Sequence, residues 1–200
     1  MNSKNKNFSK INFLNSSFET NHVVFKPINP ILKSDAELIL KLRSRESSNF
    51  LRHSSGGLKN QIAYLENYSV RNELNQEIYY KLKDKIKNKY NGVVRITELD
   101  NDDVFNWESL VFSEDCSPMA PIDVMISVYR IGFEYLKRVK CGPWDVDKRH
   151  VKMMKIHDFC KMYSIEDQNE DYYKVAVTYE NYFSQIQRFN KLGMGQINFS

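Results

Sequence analysis

The chain has 200 residues, 42% hydrophobic, 13% aromatic and 27% charged, with a formal net charge of +4. That length suits one domain burying roughly two-thirds of its unfolded surface, and lysines alternate with acidic residues throughout, so the mild positive excess points away from nucleic acid and fits an anionic small molecule. Cys116, Cys141 and Cys160 are odd in number and lack C-x-x-C spacing, which argues against a disulfide framework and a zinc site. No H-E-x-x-H motif occurs, and no metal is expected. With no apolar leader and no run approaching 18 apolar residues, the expectation is a cytoplasmic chain without a signal peptide or membrane span.

Residues 1–20 are rich in Asn, Ser and Lys and read as an extension of uncertain order. Residues 23–28 are β-branched and interrupted by Pro27, a short first strand. Ser34 followed three residues later by Glu37 has the capping-box pattern, opening a helix that ends near Ser44. Residues 49–57 are loop-like. Leu58, Ile62, Leu65 and Tyr68 form one stripe of a second helix running to Arg71. A second strand covers 77–82, and Asn91-Gly92 signals the hairpin turn into a third strand at 93–97. A fourth strand covers 104–113, and 114–121 is a loop.

Ile122, Met125, Ile126, Tyr129, Phe133 and Leu136 then recur at three- and four-residue steps, the clearest amphipathic helix in the chain. A fifth strand lies within 138–146, a helix over 148–162, a last strand over 172–178 and a terminal helix toward Phe189. Strands interleaved with helices predict an α/β (mixed α+β) architecture around a mixed sheet.

Three segments carry a more specific signal: Asn49-Phe50-Leu51; Gln61-x-x-Tyr64-Leu65-x-x-Tyr68-x-x-Arg71; and Phe105-Asn106-Trp107-Glu108-Ser109-Leu110-Val111. With the element order, they resemble the GNAT acetyltransferase superfamily over residues 22–183, and within it a bacterial branch linked to amino-sugar and surface-polysaccharide biosynthesis. The resemblance implies a GNAT-like fold: a central, mostly antiparallel mixed sheet flanked by helices and splayed between the fourth and fifth strands. It implies an acyltransferase domain at 21–185, an N-terminal extension at 1–20 and a C-terminal tail at 186–200. The cosubstrate would be acetyl-CoA, with its arm along Leu110, Val111, Phe112 and Ser113. Its phosphates would meet Ser117, Met119 and Ala120 at a helix N-terminus, and His150 beyond. The usual glycine-containing phosphate loop is absent, since no glycine lies between Gly92 and Gly132. Glu114 and Asp115 would then have to turn outward, with Lys or Arg from elsewhere meeting the phosphates.

Acetyl transfer to an amine requires deprotonation of the amine, stabilisation of an oxyanion and protonation of the leaving thiolate. A backbone N–H near Val111 would serve the oxyanion, a donor worth roughly 3–4 kcal/mol. Aligning the family's last-helix pattern sets His150 for its Asn, His157 for its Tyr, Lys161 for its Gly and Met162 for its Phe. His157 is thus the candidate acid, against the plainer reading of a histidine packed on the sheet. Glu108 is the candidate base, against a solvated strand carboxylate. By simple alternation Trp107 and Ser109 share one face and Glu108 the other. Trp107, Arg71 and Arg95 are candidates for binding an anionic, ring-bearing acceptor, with core packing and surface charge as the alternatives. The expected partners are an acyl-CoA and a small amine such as a nucleotide-linked amino sugar; monomer and homodimer are both open. Two other functions compete: a ribosomal-protein-type N-terminal acetyltransferase, and an inactive GNAT-like binding module.

Overall fold

The computed structural model describes residues 12–44 and 56–199. The Asn49-Phe50-Leu51 segment and nearly all of the 49–57 loop lie outside the described residues. In chain order the elements are β1 (Phe18–Glu19), β2 (Val23–Pro27), α1 (Lys33–Arg43), α2 (Leu58–Glu73), β3 (Glu77–Asp84), β4 (Lys89–Thr97), β5 (Val104–Phe112), α3 (Met119–Arg130), β6 (Lys140–Asp147), α4 (Val151–Cys160), β7 (Tyr163–Gln168), β8 (Tyr172–Thr178), α5 (Tyr179–Lys191) and β9 (Asn198–Phe199). Among the described residues the strands form one sheet in the order β7-β8-β6-β5-β4-β3-β2-β1-β9. Every pairing is antiparallel except β5 with β6. This is the mixed α/β class that the alternating sequence pattern predicts.

Helices cover both faces of the sheet, so its central strands are apolar on both sides. In β3, Ile78, Tyr80 and Leu82 join a core with α3 and α5, whereas Tyr79 points into a second core with Ala36, Ile39 and Leu42 of α1 and Leu65 and Tyr68 of α2. The period-2 alternation of a strand thus sends successive residues to different cores. Helix α3 is apolar nearly all round, and is correspondingly enclosed: Val124, Met125, Ile126, Val128 and Tyr129 are all buried. It runs on into a π-helical turn at Ile131–Tyr135. There Gly132 lies under the Phe105 ring, where an added Cβ would come within 2.1 Å of a ring carbon.

Several expectations are corrected. The capping box does not form: α1 starts after Leu32 without a side-chain cap. Its Asp35 instead binds the buried Lys81 ammonium at 2.5 Å and accepts the Asn29 amide. The hairpin turn falls at 85–88, with Asn88 at φ 52, while Asn91 and Gly92 belong to β4. Gly92 is needed there because the Phe112 ring of β5 lies across it. Helix α4 begins only at Val151, since Asp147 accepts the Arg149 amide and guanidinium and holds the preceding residues in a turn. Lys161, aligned with the family's glycine, takes the left-handed conformation that ends α4.

The segments before β2 and after α5 meet on Asp123 of α3, which is fully buried. One carboxylate oxygen accepts the Thr20 hydroxyl at 2.5 Å and the His22 amide, and the other accepts the Gly195 amide at 2.5 Å. Asp123→Ala removes the acceptor of the buried Gly195 amide and leaves the Thr20 hydroxyl and His22 amide only their longer local bonds. It is expected to cost about 3 kcal/mol, measured as a lowered urea midpoint at unchanged m-value.

Candidate active site

Two central strands part company in the middle of the sheet. The parallel ladder between β5 and β6 holds two register pairs, Val104↔Lys140 and Phe105↔Cys141. Beyond them β5 stays paired to β4 as far as Phe112, and β6 to β8 as far as Asp147, but not to each other. The facing edges leave backbone donors and acceptors without a ladder partner, and such groups call for one. A wedge therefore opens from Phe105 toward Ser113.

A β-bulge shapes one wall of this wedge. Val93 pairs with Val111 but Arg95 pairs with Glu108, so β5 carries an extra residue, and Ser109 takes φ 55. The bulge reverses the face of everything that follows it. Trp107 and Phe105 belong to the α3 core, Val111 to the α1/α2 core. Ser109 accepts a hydrogen bond from Arg43 of α1 at 3.2 Å, and so shares Glu108's face rather than Trp107's. Simple alternation is wrong at that residue for this reason.

On the α1/α2 face the structure brings the charged candidates Arg71, Arg95 and Glu108 together. Arg95 bonds Glu108, Glu77 and the Tyr64 hydroxyl. Arg71 donates to the other Glu77 oxygen at 2.9 Å, and its guanidinium, like that of Arg95, lies over the Tyr64 ring. Glu77 is nearly enclosed, whereas the Glu108 side chain is 51% exposed, leaving it open to an acceptor. Sequence reasoning missed Glu77 and Tyr64 as members of this cluster. The signal was available: a lone acid begins the otherwise apolar start of β3, and Tyr64 stands one helical turn before Tyr68 on α2, within reach of Arg95 of β4.

Trp107 and His157 lie on the other face, apart from Glu108. Trp107 packs against Trp144 of β6 with ring centroids 5.5 Å apart, and His157 of α4 rests on both rings at 6.3 and 5.9 Å. His157 is 1% exposed, and its Nε2 has no hydrogen-bond partner among the described residues. Burial pushes its imidazole down to about 4, with the nearby Asp158 pulling the other way. The ring is therefore neutral near pH 7 and holds no imidazolium proton there.

At the mouth of the wedge, Asp115 turns to Lys89 and to the Ser113 hydroxyl, which together hold its carboxyl at about 2. The Ser117 amide donates to buried Asp84 at 2.6 Å, and the Ala120 amide to the Ser117 carbonyl. Pro118 and Pro121 have no amide to give. Most of this loop's donors are thus committed within the protein. Met119 and Ala120 begin α3 and pack inward on the α3 core. Across the mouth, half-buried His150 precedes α4, and Lys152 is close enough to bear electrostatically on both His150 and Cys116. A cavity of about 640 Å³ adjoins the mouth, lined by Leu38, Lys41, Leu42, Tyr90 and Glu114 among others.

No family model and no curated protein matches the chain in sequence. Solved structures do match in fold. FdhC, described as a nucleotide-linked sugar GNAT, superposes with a TM-score of 0.75 at 20% identity, over 90% of this chain and 99% of its own. The spermidine N-acetyltransferase of Vibrio cholerae, solved with CoA and spermine, gives 0.64 at 12% identity over 81% and 98%. The Campylobacter jejuni N-acetyltransferase PseH, solved with acetyl coenzyme A, gives 0.57 at 16% over 78% and 98%.

The His157 environment has a measurable consequence. An unfolded chain's histidine protonates near pH 6.5, so stability is lost as pH falls from there toward 4. Between pH 7 and pH 5 the wild type is expected to lose about 2 kcal/mol more than His157→Phe in urea unfolding; equal losses would contradict the burial. Parted central strands, a bulged fourth long strand, one parallel pair in an antiparallel sheet and these superpositions lead to one conclusion: the chain has the GNAT N-acetyltransferase fold.

Proposed function

We propose that the protein is an acyl-CoA-dependent N-acyltransferase that acetylates the amino group of a nucleotide-linked amino sugar. The observation that carries this reading is the wedge between β5 and β6. Its unpaired strand edge suits the two amides of a pantetheine arm, which can join β5 as an added strand. The mouth fits the phosphates less well through its loop amides than through cations, and Lys152 and the α3 N-terminus are the groups that would meet them. Acetyl-CoA supplies an activated acyl carbon there.

The protein's own groups divide the remaining work. Glu108, held by Arg95 and open to solvent, takes a proton from the incoming ammonium. The freed nitrogen attacks the acyl carbon directly, without an acyl-enzyme. A β5 amide next to the bulge, near Val111, donates to the oxyanion as the tetrahedral species forms. The thiolate then leaves, and the second proton lost by nitrogen passes to sulfur. Arg71, bound to Glu77 through Nε and the more exposed of the two arginines, gives the acceptor side a guanidinium suited to a diphosphate, while Arg95 holds Glu108 beside it, and FdhC's description as a nucleotide-linked sugar GNAT supports the same acceptor class.

The test is calorimetry with acetyl-CoA, followed by intact-mass detection of acetyl transfer to a nucleotide-linked amino sugar. Binding below millimolar and a mass gain of one acetyl group are expected; no binding at millimolar donor contradicts the proposal. Glu108→Gln is expected to lower kcat by about 10²–10⁴-fold while acetyl-CoA affinity stays within about twofold of wild type.

A further inference from the structure

The apex of the wedge is filled by the only two tryptophans in the chain. Trp107 is the first residue after Phe105 to point to the α3 face of β5, and Trp144 follows Gly142 and Pro143 in β6. Their rings meet across the seam just beyond the last ladder pair. Resting on the proposed acyl-CoA donor, we propose that Trp107 and Trp144 form the floor of the acyl slot and restrict the transferred group to acetyl.

Length supports this assignment. A nucleotide diphosphate is bulky and charged, so it fits only at the wide mouth, beside Lys152 and α3, and not at the closed apex. From Ser113 back to Glu108, with the extra residue of the bulge discounted, β5 advances roughly 13 Å. The pantetheine arm spans roughly twelve bonds from phosphate oxygen to sulfur, or about 14 Å when extended like a backbone. A thioester entering from the mouth therefore ends beside Glu108. Its acyl chain, one step further in, meets the two indoles.

The floor is rigid. Trp107 is 7% exposed and is backed by fully buried Tyr129, with centroids 6.4 Å apart. His157 supports both indoles and is itself backed by Tyr163 at 5.4 Å. Trp144 lies over Gly142, where an added Cβ would come within 2.3 Å of the ring, so the indole has no room to fold back. A close-packed layer of this kind yields little to an extra methylene. Lengthening the donor's acyl chain must either part the two rings or pull the thioester away from Glu108.

The experiment measures acetyl-CoA and butanoyl-CoA by calorimetric Kd and by kcat/KM for wild type, Trp144→Ala and Trp144→Leu, with circular dichroism confirming the fold of each. Wild type is expected to favour acetyl by about 100-fold or more in kcat/KM. Trp144→Ala is expected to reduce that preference by about tenfold or more and to tighten butanoyl-CoA binding, with Trp144→Leu intermediate. Because both tryptophans lie in the floor, acetyl-CoA should change tryptophan emission more than CoA does. Donors that bind with an unchanged acetyl-to-butanoyl ratio in both variants overturn the floor and leave the donor reading standing. Failure of acetyl-CoA to bind wild type overturns both.

Discussion

The facing edges of β5 and β6, paired at Val104 and Phe105 and unpaired beyond, govern the rest of the molecule. Backbone groups in the middle of a sheet are normally satisfied by the next strand, and leaving a row of them open is costly unless something holds the strands apart. Here three features do so. The bulge at Ser109 bends β5. Pro143 removes a donor from β6 next to the last ladder pair. The Trp107–Trp144 contact props the strands apart at the apex. Each strand keeps its outer partner, so the sheet remains continuous while a slot opens within it.

The bulge also divides the chemistry. It keeps Glu108 and Ser109 together on the α1/α2 face with Arg43, Arg71, Arg95, Glu77 and Tyr64. It leaves Trp107 on the opposite face with Trp144 and His157. One face of the seam is charged and open; the other is aromatic and dry. Under the proposed function, proton transfer belongs to the first and shape selection to the second. His157, buried and neutral, lies on the dry side against both indoles.

Much of the fold was legible because its elements bury a face. The stripe through α3 and the alternation through β3, β5 and β8 follow from burial, and burial leaves a periodic trace in sequence. What was missed leaves no such trace. β7 is an edge strand in which Tyr163 and Ser164 are half-buried and residues 165–168 are exposed, so nothing forces an apolar pattern on Tyr163–Gln168. The bulge has no glycine to announce it, because a serine takes the left-handed position. Asp35 and Asp84 resemble ordinary cap and turn residues, yet their partners, Lys81 and Ser117, are distant in sequence. Tertiary ion pairs and hydrogen bonds of this kind override the local signal that suggested a capping box at Ser34 and an open amide loop at Ser117.

The open seam is tested most directly by amide hydrogen exchange with and without acetyl-CoA. Without the donor, amides on the facing edges of β5 and β6 should exchange much faster than those of β3 and β4, which are paired on both sides. Adding acetyl-CoA should slow exchange along β5 from Glu108 to Phe112 while leaving β3 unchanged. Slow exchange along that edge in the free protein, with no further protection from the donor, would mean that the strands are joined and would contradict the account.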